Sequence, residues 1–353
     1  MMLRQLINIP VCFFIAVLVL SGCSDGNEGD KYQEIQTIHI VSSDLSVNAN
    51  GGTREIKFSS KGEISAVSKA DWLTVTAQTD TAITVQIAQN PNLESRNTQL
   101  VLSDGITSLD VPVMQEGFVF SYDTGNINHT LPYAGGAVSV DFTSNMPYTV
   151  TIPGNAQSWL SYKEEDGKLV FTVSPDAGKT LRGADVTVAS NGKKITYNIS
   201  QVELSESDLK GQWTWAFTDS QYGPVATKVN LSPTDGEYRM LYGSLNDGSE
   251  IYFPLTWSES KGALVFTAGQ IIAQHKDGPI ATFLSNGSSV NTKGTFTARP
   301  IYRNGQVLFQ FYNSNADGNV PDVTMLGIGL FSNGAFSQGV AFASFFTLSK
   351  AIG

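Results

Sequence analysis

The chain has 353 residues and a formal net charge of −10, with only 15% of its residues charged. An acidic chain without clustered Lys and Arg is a poor candidate for nucleic-acid binding, so no nucleic-acid partner is expected. The length suggests two or three domains. Val, Ile, Phe and Tyr recur in short runs between Gly, Ser, Thr and Asn, a composition typical of all-β extracellular proteins.

The amino end reads as an export signal. Arg4 supplies a positive charge, and about a dozen apolar residues follow from Ile9 to Leu20. A membrane-spanning helix needs about 20, so residues 1–22 are predicted to be a signal peptide. Leu20-Ser21-Gly22-Cys23 resembles the bacterial lipobox, which implies lipidation of Cys23 and a lipid anchor in the membrane. The alternative is an ordinary signal peptide with a chance cysteine.

Residues 23–34 are predicted to be a lipidated flexible tether, because the run from Ser24 to Asp30 is polar, acidic and rich in glycine. This run also resembles the acidic export signal of Bacteroidetes surface lipoproteins. That resemblance implies an outer-membrane location facing the cell exterior. A plain solvated linker is the alternative.

Two copies of one plan follow, at residues 35–117 and 118–203. Each copy has a glycine pair before a strand, then a Trp-Leu pair, an arginine and a closing glutamine. Arg96 precedes Gln115 by the same number of residues as Arg182 precedes Gln201. The strands show period-two alternation and are bounded by Gly, Pro, Asn or Asp, so each copy is predicted to be a small β-sandwich.

These repeated features resemble the BACON domain of Bacteroidetes surface proteins. The resemblance implies two immunoglobulin-like β-sandwiches in tandem and an association with glycan-harvesting systems. Trp72 and Trp159 occupy equivalent places in the two copies. A tryptophan repeated in this way is expected in the core rather than in a sugar site. The two copies are therefore interpreted as a spacer.

Residues 204–353 are predicted to form a third all-β domain. Gly211-Gln212-Trp213 is similar to the opening of lipocalin-like barrels, which implies a structural role for Trp213. The fold class predicted for the whole chain is all-β, with two sandwiches followed by a C-terminal antiparallel β-barrel or sandwich. Ten strands are expected near 212–218, 225–231, 237–243, 250–257, 263–268, 280–284, 294–301, 306–312, 323–331 and 339–348.

The candidate ligand-binding residues are aromatic, because sugars stack their C–H groups on aromatic faces. Tyr222, Tyr242 and Tyr312 stand beside turns, and Trp257 is added to them. The sequence contains no zinc spacing, nucleophile elbow or phosphate loop. A partial calcium pattern from Asn313 to Gly318 lacks the glutamate expected at its twelfth position. We therefore expect no metal, cofactor or catalytic residue.

The favoured function is that of a non-catalytic cell-surface glycan-binding lipoprotein of a polysaccharide-utilisation system. Its expected partners are a polysaccharide or oligosaccharide, the membrane and an outer-membrane transport complex. The alternatives are a lipocalin-like carrier of a small apolar ligand and a protein-interaction or adhesion module. These expectations rest on architecture and resemblance rather than on an identified site.

Overall fold

A computed structural model describes residues 37–312, 314–316 and 320–352. The predicted signal peptide and the whole predicted tether, including Cys23, lie outside the described residues, as do Asn313 and Asp317 of the partial calcium pattern. The described chain is almost entirely β, which confirms the predicted fold class. Within that part of the chain, no helix has the length and apolar character needed to cross a membrane.

The first sandwich consists of two four-stranded sheets, in the orders β1-β3-β6-β5 and β2-β8-β7-β4. Their alternating inward residues, among them Ile56, Val85 and Leu100, form one buried core. The strands are β1 (Ile38–Ser43), β2 (Ser46–Val47), β3 (Gly52–Ser60), β4 (Ser65–Ser68), β5 (Leu73–Gln78), β6 (Ala82–Ile87), β7 (Arg96–Ser103) and β8 (Ser108–Gln115).

The second sandwich repeats this topology, in the orders β13-β14-β11-β9 and β10-β16-β15-β12. In both copies the second strand pairs in parallel with the last strand, whereas the other pairs are antiparallel. The strands are β9 (Phe120–Tyr122), β10 (Asn128–Leu131), β11 (Gly136–Ser144), β12 (Thr149–Thr151), β13 (Leu160–Glu165), β14 (Lys168–Val173), β15 (Arg182–Ser190) and β16 (Lys193–Gln201).

The repeated arginine, glutamine and tryptophan form one structural unit in each copy. Arg96 Nε donates to Gln115 Oε1 at 2.8 Å, and its guanidinium lies 4.4 Å from the centre of the Trp72 ring. In the second copy Arg182 Nε donates to Gln201 Oε1 at 2.7 Å and the guanidinium covers Trp159 at 4.7 Å. Both tryptophans pack against the sandwich core, so their role is structural, as the repeat indicated.

The glycine pair of each copy is required by backbone geometry. Gly51 and Gly135 have φ values of 72° and 77°, in the left-handed region that L side chains disfavour. A Cβ at Gly135 would also lie only 2.6 Å from the Val173 carbonyl oxygen. The conserved plan of the two copies therefore includes a turn that only glycine fits.

The two sandwiches meet at a packed junction. Ala49, Phe118 and Met146 form a small buried cluster there. Asn145 clamps the connecting segment, because its Nδ2 donates to the Gly117 carbonyl at 2.9 Å and its Oδ1 accepts from the backbone N–H of residue 119 at 2.8 Å. Tandem sandwiches with such a junction are held in a defined orientation rather than joined by a free linker.

The C-terminal block begins with a short helix, α1 (Glu206–Leu209), and continues as two main sheets. Nine strands form the large sheet and four form the small sheet, β19-β20-β21-β25. The strands are β17 (Gly211–Asp219), β18 (Gly223–Leu231), β19 (Glu237–Ser244), β20 (Glu250–Ser258), β21 (Ala263–Thr267), β22 (Ile271–His275), β23 (Gly278–Ser285), β24 (Val290–Asn291), β25 (Thr295–Ala298), β26 (Pro300–Arg303), β27 (Gln306–Gln310), β28 (Ser314–Ala316), β29 (Val320–Val323), β30 (Met325–Ser332) and β31 (Ala335–Ala351).

The described part of this block is a sandwich and not the closed barrel that the Gly-x-Trp opening suggested. Trp213 is buried, as predicted, and its Nε1 donates to the Leu209 carbonyl at 2.7 Å. Between the sheets, Trp215, Phe253 and Phe346 are fully buried and their ring centres lie 5.6–6.2 Å apart. Aromatic side chains thus fill the space where a lipocalin-like carrier would need a ligand cavity.

One predicted strand proves to be two. The chain from 294 to 301 forms β25, which pairs with β21 in the small sheet, and then β26, which pairs with β27 in the large sheet. Arg299 stands between them, at the point where the chain passes from one sheet to the other. The sequence analysis placed a single strand across this corner and so missed the change of sheet.

The last strand lies in the middle of the large sheet and contains a bulge. β31 pairs with β17, β27 and β30. Ala341 and Ala343 are buried, but the alternation then shifts, so that Phe346 is buried and Phe345 is 57% exposed. Phe345 has a φ of +53°, which a bulky residue rarely adopts. The extra residue of the bulge turns this ring outward.

Candidate functional site

Two of the predicted ligand-binding tyrosines converge on one carboxylate. Asp219 is buried at the end of β17, where one carboxylate oxygen accepts the Tyr242 hydroxyl and the other accepts the backbone N–H of Tyr222 at 2.8 Å. The Tyr242 ring packs against Phe217 and Phe253 with ring-centre distances of 6.2 and 6.1 Å. Tyr242 is therefore a half-buried packing residue, and Tyr222, 73% exposed, is the accessible ring of the pair.

The electrostatics of this pair fit a structural role. Burial opposes ionisation of Asp219, but the hydrogen bonds from Tyr242, Tyr222 and Gln221 outweigh it and lower the pKa of Asp219. The same contact raises the pKa of Tyr242, first through burial and then through the hydrogen bond to Asp219. The carboxylate stays ionised and the phenol stays neutral, which secures the turn that carries Tyr222.

Trp257 lies elsewhere, on β20. Its ring stands edge-on to Phe309 at a ring-centre distance of 6.4 Å and packs against the core of the C-terminal block. Its Nε1 is buried and has no hydrogen-bond partner among the described residues. The structure therefore gives Trp257 a packing role and does not join it to the tyrosines.

Tyr312 lies in a cleft of about 620 Å³ between the second sandwich and the C-terminal block. Its hydroxyl accepts from Gln310 Nε2 at 2.9 Å, and its ring stands edge-on to Phe345 at 5.3 Å. The outward ring of the bulged strand thus extends the aromatic surface beside the cleft. A volume of this size is typical of small-ligand sites.

A network of polar contacts holds the two walls of the cleft together. Ser200 Oγ accepts the backbone N–H of Tyr302 at 2.8 Å, and Thr130 Oγ1 donates to the Pro300 carbonyl at 2.6 Å. Arg303 and Asp185 form an ion pair at 2.9 Å. We call this set of contacts, between residues 128–200 and residues 300–310, the second junction.

Polar side chains line the cleft from both walls. The second sandwich contributes Asn126, Asn128 and Thr130, and the C-terminal block contributes Lys261, Thr297, Arg299, Gln310 and Tyr312. Asn128 Nδ2 donates to Gln310 Oε1 at 3.1 Å, so the two walls share one amide contact. The lining contains amides, hydroxyls, two cations and an aromatic ring, groups that can bond sugar hydroxyls and pack on a sugar face.

The loop at one edge of the cleft is specific to the second sandwich. Five residues, 123–127, separate β9 from β10, whereas two residues separate β1 from β2. His129 Nε2 lies 3.0 Å from the Asn126 carbonyl, which can only accept, so the ring nitrogen donates. Burial lowers the pKa of His129 despite this bond, so the ring is neutral and the loop is held by it near neutral pH.

Sequence reasoning identified Tyr312 but not the rest of the cleft. Asn128 and Gln310 are 182 residues apart in the chain, and no spacing rule connects them. The one usable signal was the longer stretch before the glycine pair in the second copy, which carries Asn126. This longer stretch shows that the two copies differ there, but it does not show which residues of the C-terminal block lie opposite.

Comparison with protein families supports the two repeats. Residues 55–116 and 149–202 match the BACON family model, described as "Putative binding domain, N-terminal". These segments lie in the first and second sandwich, so both are BACON-like. No curated protein is significantly similar to this chain.

Several solved structures are distantly similar to this chain. A chimeric titin Z1Z2 carrying a decorin peptide is 11% identical, with a TM-score of 0.32 over 48% of this chain and 97% of that one. A three-domain titin fragment, I67-I69, is 8% identical, with a TM-score of 0.29 over 84% and 98%. An endo-fucoidan hydrolase of glycoside hydrolase family 107 is 13% identical, with a TM-score of 0.25 over 46% of this chain and 28% of that one. TM-scores below 0.5 carry no functional information.

Proposed function

We propose that this protein is a non-catalytic, cell-surface glycan-binding lipoprotein and that the cleft at the second junction is its binding site. The observation that carries the proposal is the lining of the cleft. Amide and hydroxyl groups from two rigid walls face one space of about 620 Å³, with Tyr312 at its side and the exposed Phe345 ring next to it. BACON-like sandwiches behind a lipobox suit a surface protein of a polysaccharide-utilisation system.

Binding without hydrolysis is proposed for a chemical reason. Glycosidases of the common type need two carboxyl groups flanking the scissile bond. The described residues that line the cleft include neither Asp nor Glu. The lining therefore favours recognition, with the bound glycan passed on to other proteins at the outer membrane, such as a transport complex.

The proposal departs from the interpretation of both sandwiches as a spacer, because the second sandwich supplies one wall of the site. Asn128 and Thr130 on β10 each contact the C-terminal block as well as the cleft. The first sandwich remains a spacer in this proposal. Glycan binding should accordingly need residues of both the second sandwich and the C-terminal block.

Affinity electrophoresis of the chain from residue 31 onward, against plant, microbial and mucin polysaccharides, tests the proposal. Tyr312→Ala should weaken retardation by about tenfold, since a central aromatic contact contributes more than about 1 kcal/mol to binding. Tyr222→Ala is the matched control, because Tyr222 is more exposed but lies outside the cleft lining. Retardation that is lost with Tyr222→Ala and kept with Tyr312→Ala would move the site to the Asp219 turn.

A further inference from the structure

One arginine of the C-terminal block has no evident structural task. Six arginines lie in the described residues, and five of them are engaged by the chain itself. Arg96 and Arg182 hold glutamines, Arg303 pairs with Asp185, Arg239 lies 3.6 Å from Glu237, and Arg54 bonds a backbone carbonyl. Arg299 makes no hydrogen bond or ion pair among the described residues, and it faces the cleft.

The backbone that carries Arg299 is fixed. Ala298 on one side pairs with Leu264 in the small sheet, and Pro300 on the other side pairs with Phe309 in the large sheet. The Pro300 carbonyl also accepts the Thr130 hydroxyl across the second junction. An arginine whose backbone is fixed at the edge of a cleft can bind a carboxylate or a sulfate ester there with two parallel hydrogen bonds.

Among the described residues, the charged side chains that line the cleft are cations. The chain carries a net charge of −10, yet the described lining holds Lys261 and Arg299 and no carboxylate. Lys261 Nζ also lies 3.2 Å from Thr297 Oγ1, on the same wall as Arg299. The Asp123 carboxylate on the neighbouring loop accepts from the Gly125 N–H and is not part of the lining.

We infer that the cleft selects acidic polysaccharides, whose sulfate ester or uronate carboxylate binds Arg299, while amides and Tyr312 bind the sugar itself. This inference rests on the proposed glycan-binding function and narrows its ligand class. The net negative charge of the protein repels polyanions over a distance of about 10 Å at moderate salt, so non-specific attachment of anionic ligands should be weak.

Matched polysaccharides separate the charge from the sugar. The chain from residue 31 onward is compared on κ-carrageenan and its desulfated form, and on polygalacturonate and highly methyl-esterified pectin. Stronger retardation by the charged member of a pair supports the inference. The carrageenan pair isolates the sulfate group, and the pectin pair isolates the carboxylate. Equal or stronger retardation by the neutral members overturns the inference but leaves glycan binding standing, whereas no retardation by any polysaccharide counts against both.

Charge-matched variants identify the group responsible. Arg299→Gln should weaken binding to the charged member at least tenfold and leave any binding to its neutral partner unchanged. Arg54→Gln changes the net charge equally, but Arg54 is a half-buried residue of the first sandwich outside the cleft lining, so this variant should bind like the original chain. If Arg54→Gln and Arg299→Gln lose equal affinity, the attraction belongs to the overall charge and the inference is wrong.

Discussion

Gly183 is the position at which one atom can open the second junction. It lies on β15, and a Cβ there would come closer than 3.0 Å to the Tyr302 carbonyl oxygen, a separation that real Cβ atoms do not show. The φ of Gly183 is not in the left-handed region, so alanine brings no backbone strain of its own. Because the obstacle is backbone from the opposite wall, Gly183→Ala can be accommodated only if the two walls separate.

The cost of separation follows from the contacts that are lost. The three shortest neutral hydrogen bonds across the junction involve Ser200, Thr130 and Asn128, and one partly exposed ion pair joins Asp185 to Arg303. A neutral hydrogen bond contributes about 0.5–1.5 kcal/mol net, and a solvent-screened pair about 0–1 kcal/mol. Opening the junction therefore removes roughly 2–5 kcal/mol of coupling between the walls. Each wall keeps its own core, so both should stay folded.

Small-angle scattering, thermal unfolding and affinity electrophoresis together test this prediction. Gly183→Ala should broaden the distribution of interatomic distances, separate the unfolding of the second sandwich from that of the C-terminal block, and weaken glycan retardation at least tenfold. Gly154→Ala is the control, because Gly154 lies in the same sandwich, also lacks a left-handed φ, and has no atom within 4 Å of an added Cβ. If the two variants scatter, melt and bind alike, the second junction does not build the site.

Three further predictions concern stability. Burial raises the pKa of Tyr197 to about 12, so the second sandwich should lose stability between pH 10 and pH 12, where only the unfolded state ionises. Tyr197→Phe should reduce this loss. The same variant should cost little stability at pH 7, because the Tyr197 hydroxyl has no hydrogen-bond partner among the described residues. Gly327→Ala would place a Cβ in steric overlap with the buried Phe283 ring. This change should destabilise the C-terminal block by about 1–3 kcal/mol, as measured by urea unfolding. Arg182→Lys keeps the charge but loses the hydrogen bond from the guanidinium to Gln201. The free energy of unfolding should fall by about 1–2 kcal/mol, and the melting temperature should fall by several degrees.

Each stability prediction has an outcome that contradicts it. Equal alkaline unfolding of Tyr197→Phe and the original chain would show that another group dominates at high pH. Gly243→Ala, which adds a Cβ with nothing within 4 Å, controls for the general effect of alanine in this block and should be nearly neutral. Arg96→Lys repeats the arginine test in the first sandwich, and unequal losses in the two copies would show that the shared contacts are not equivalent.

The repeats were predictable because they reflect local pairing rules. The equal spacing from arginine to glutamine arises because β7 and β8 form a hairpin in which Arg96 stands directly opposite Gln115, and β15 and β16 place Arg182 opposite Gln201 in the same way. Hairpin register is set within a few dozen residues, so the sequence records it directly. The Asn191-Gly192 turn between β15 and β16, in which both residues have a left-handed φ, follows the same kind of local rule.

The cleft was not predictable, because it depends on how separate units pack. Arg299 reads as one more polar residue in an alternating strand, and only the change of sheet at Pro300 places it at a corner facing the second sandwich. Phe345 reads as a core residue in an apolar strand, and the bulge alone turns it outward. Both depend on partners far away in the chain, which single-strand patterns do not encode.

The two sandwiches share a plan, yet their junctions place them in different roles. The first junction, clamped by Asn145, fixes the direction of the second sandwich and contributes nothing to the cleft lining. The second junction fixes the walls of the cleft before any ligand arrives, which reduces the ordering cost of binding. Loosening the first junction should therefore alter the reach of the site without altering its affinity, whereas loosening the second should lower the affinity itself. The longer loop of the second copy, residues 123–127, contributes Gly125 and Asn126 to the cleft lining. The two repeats therefore differ in length at the proposed site.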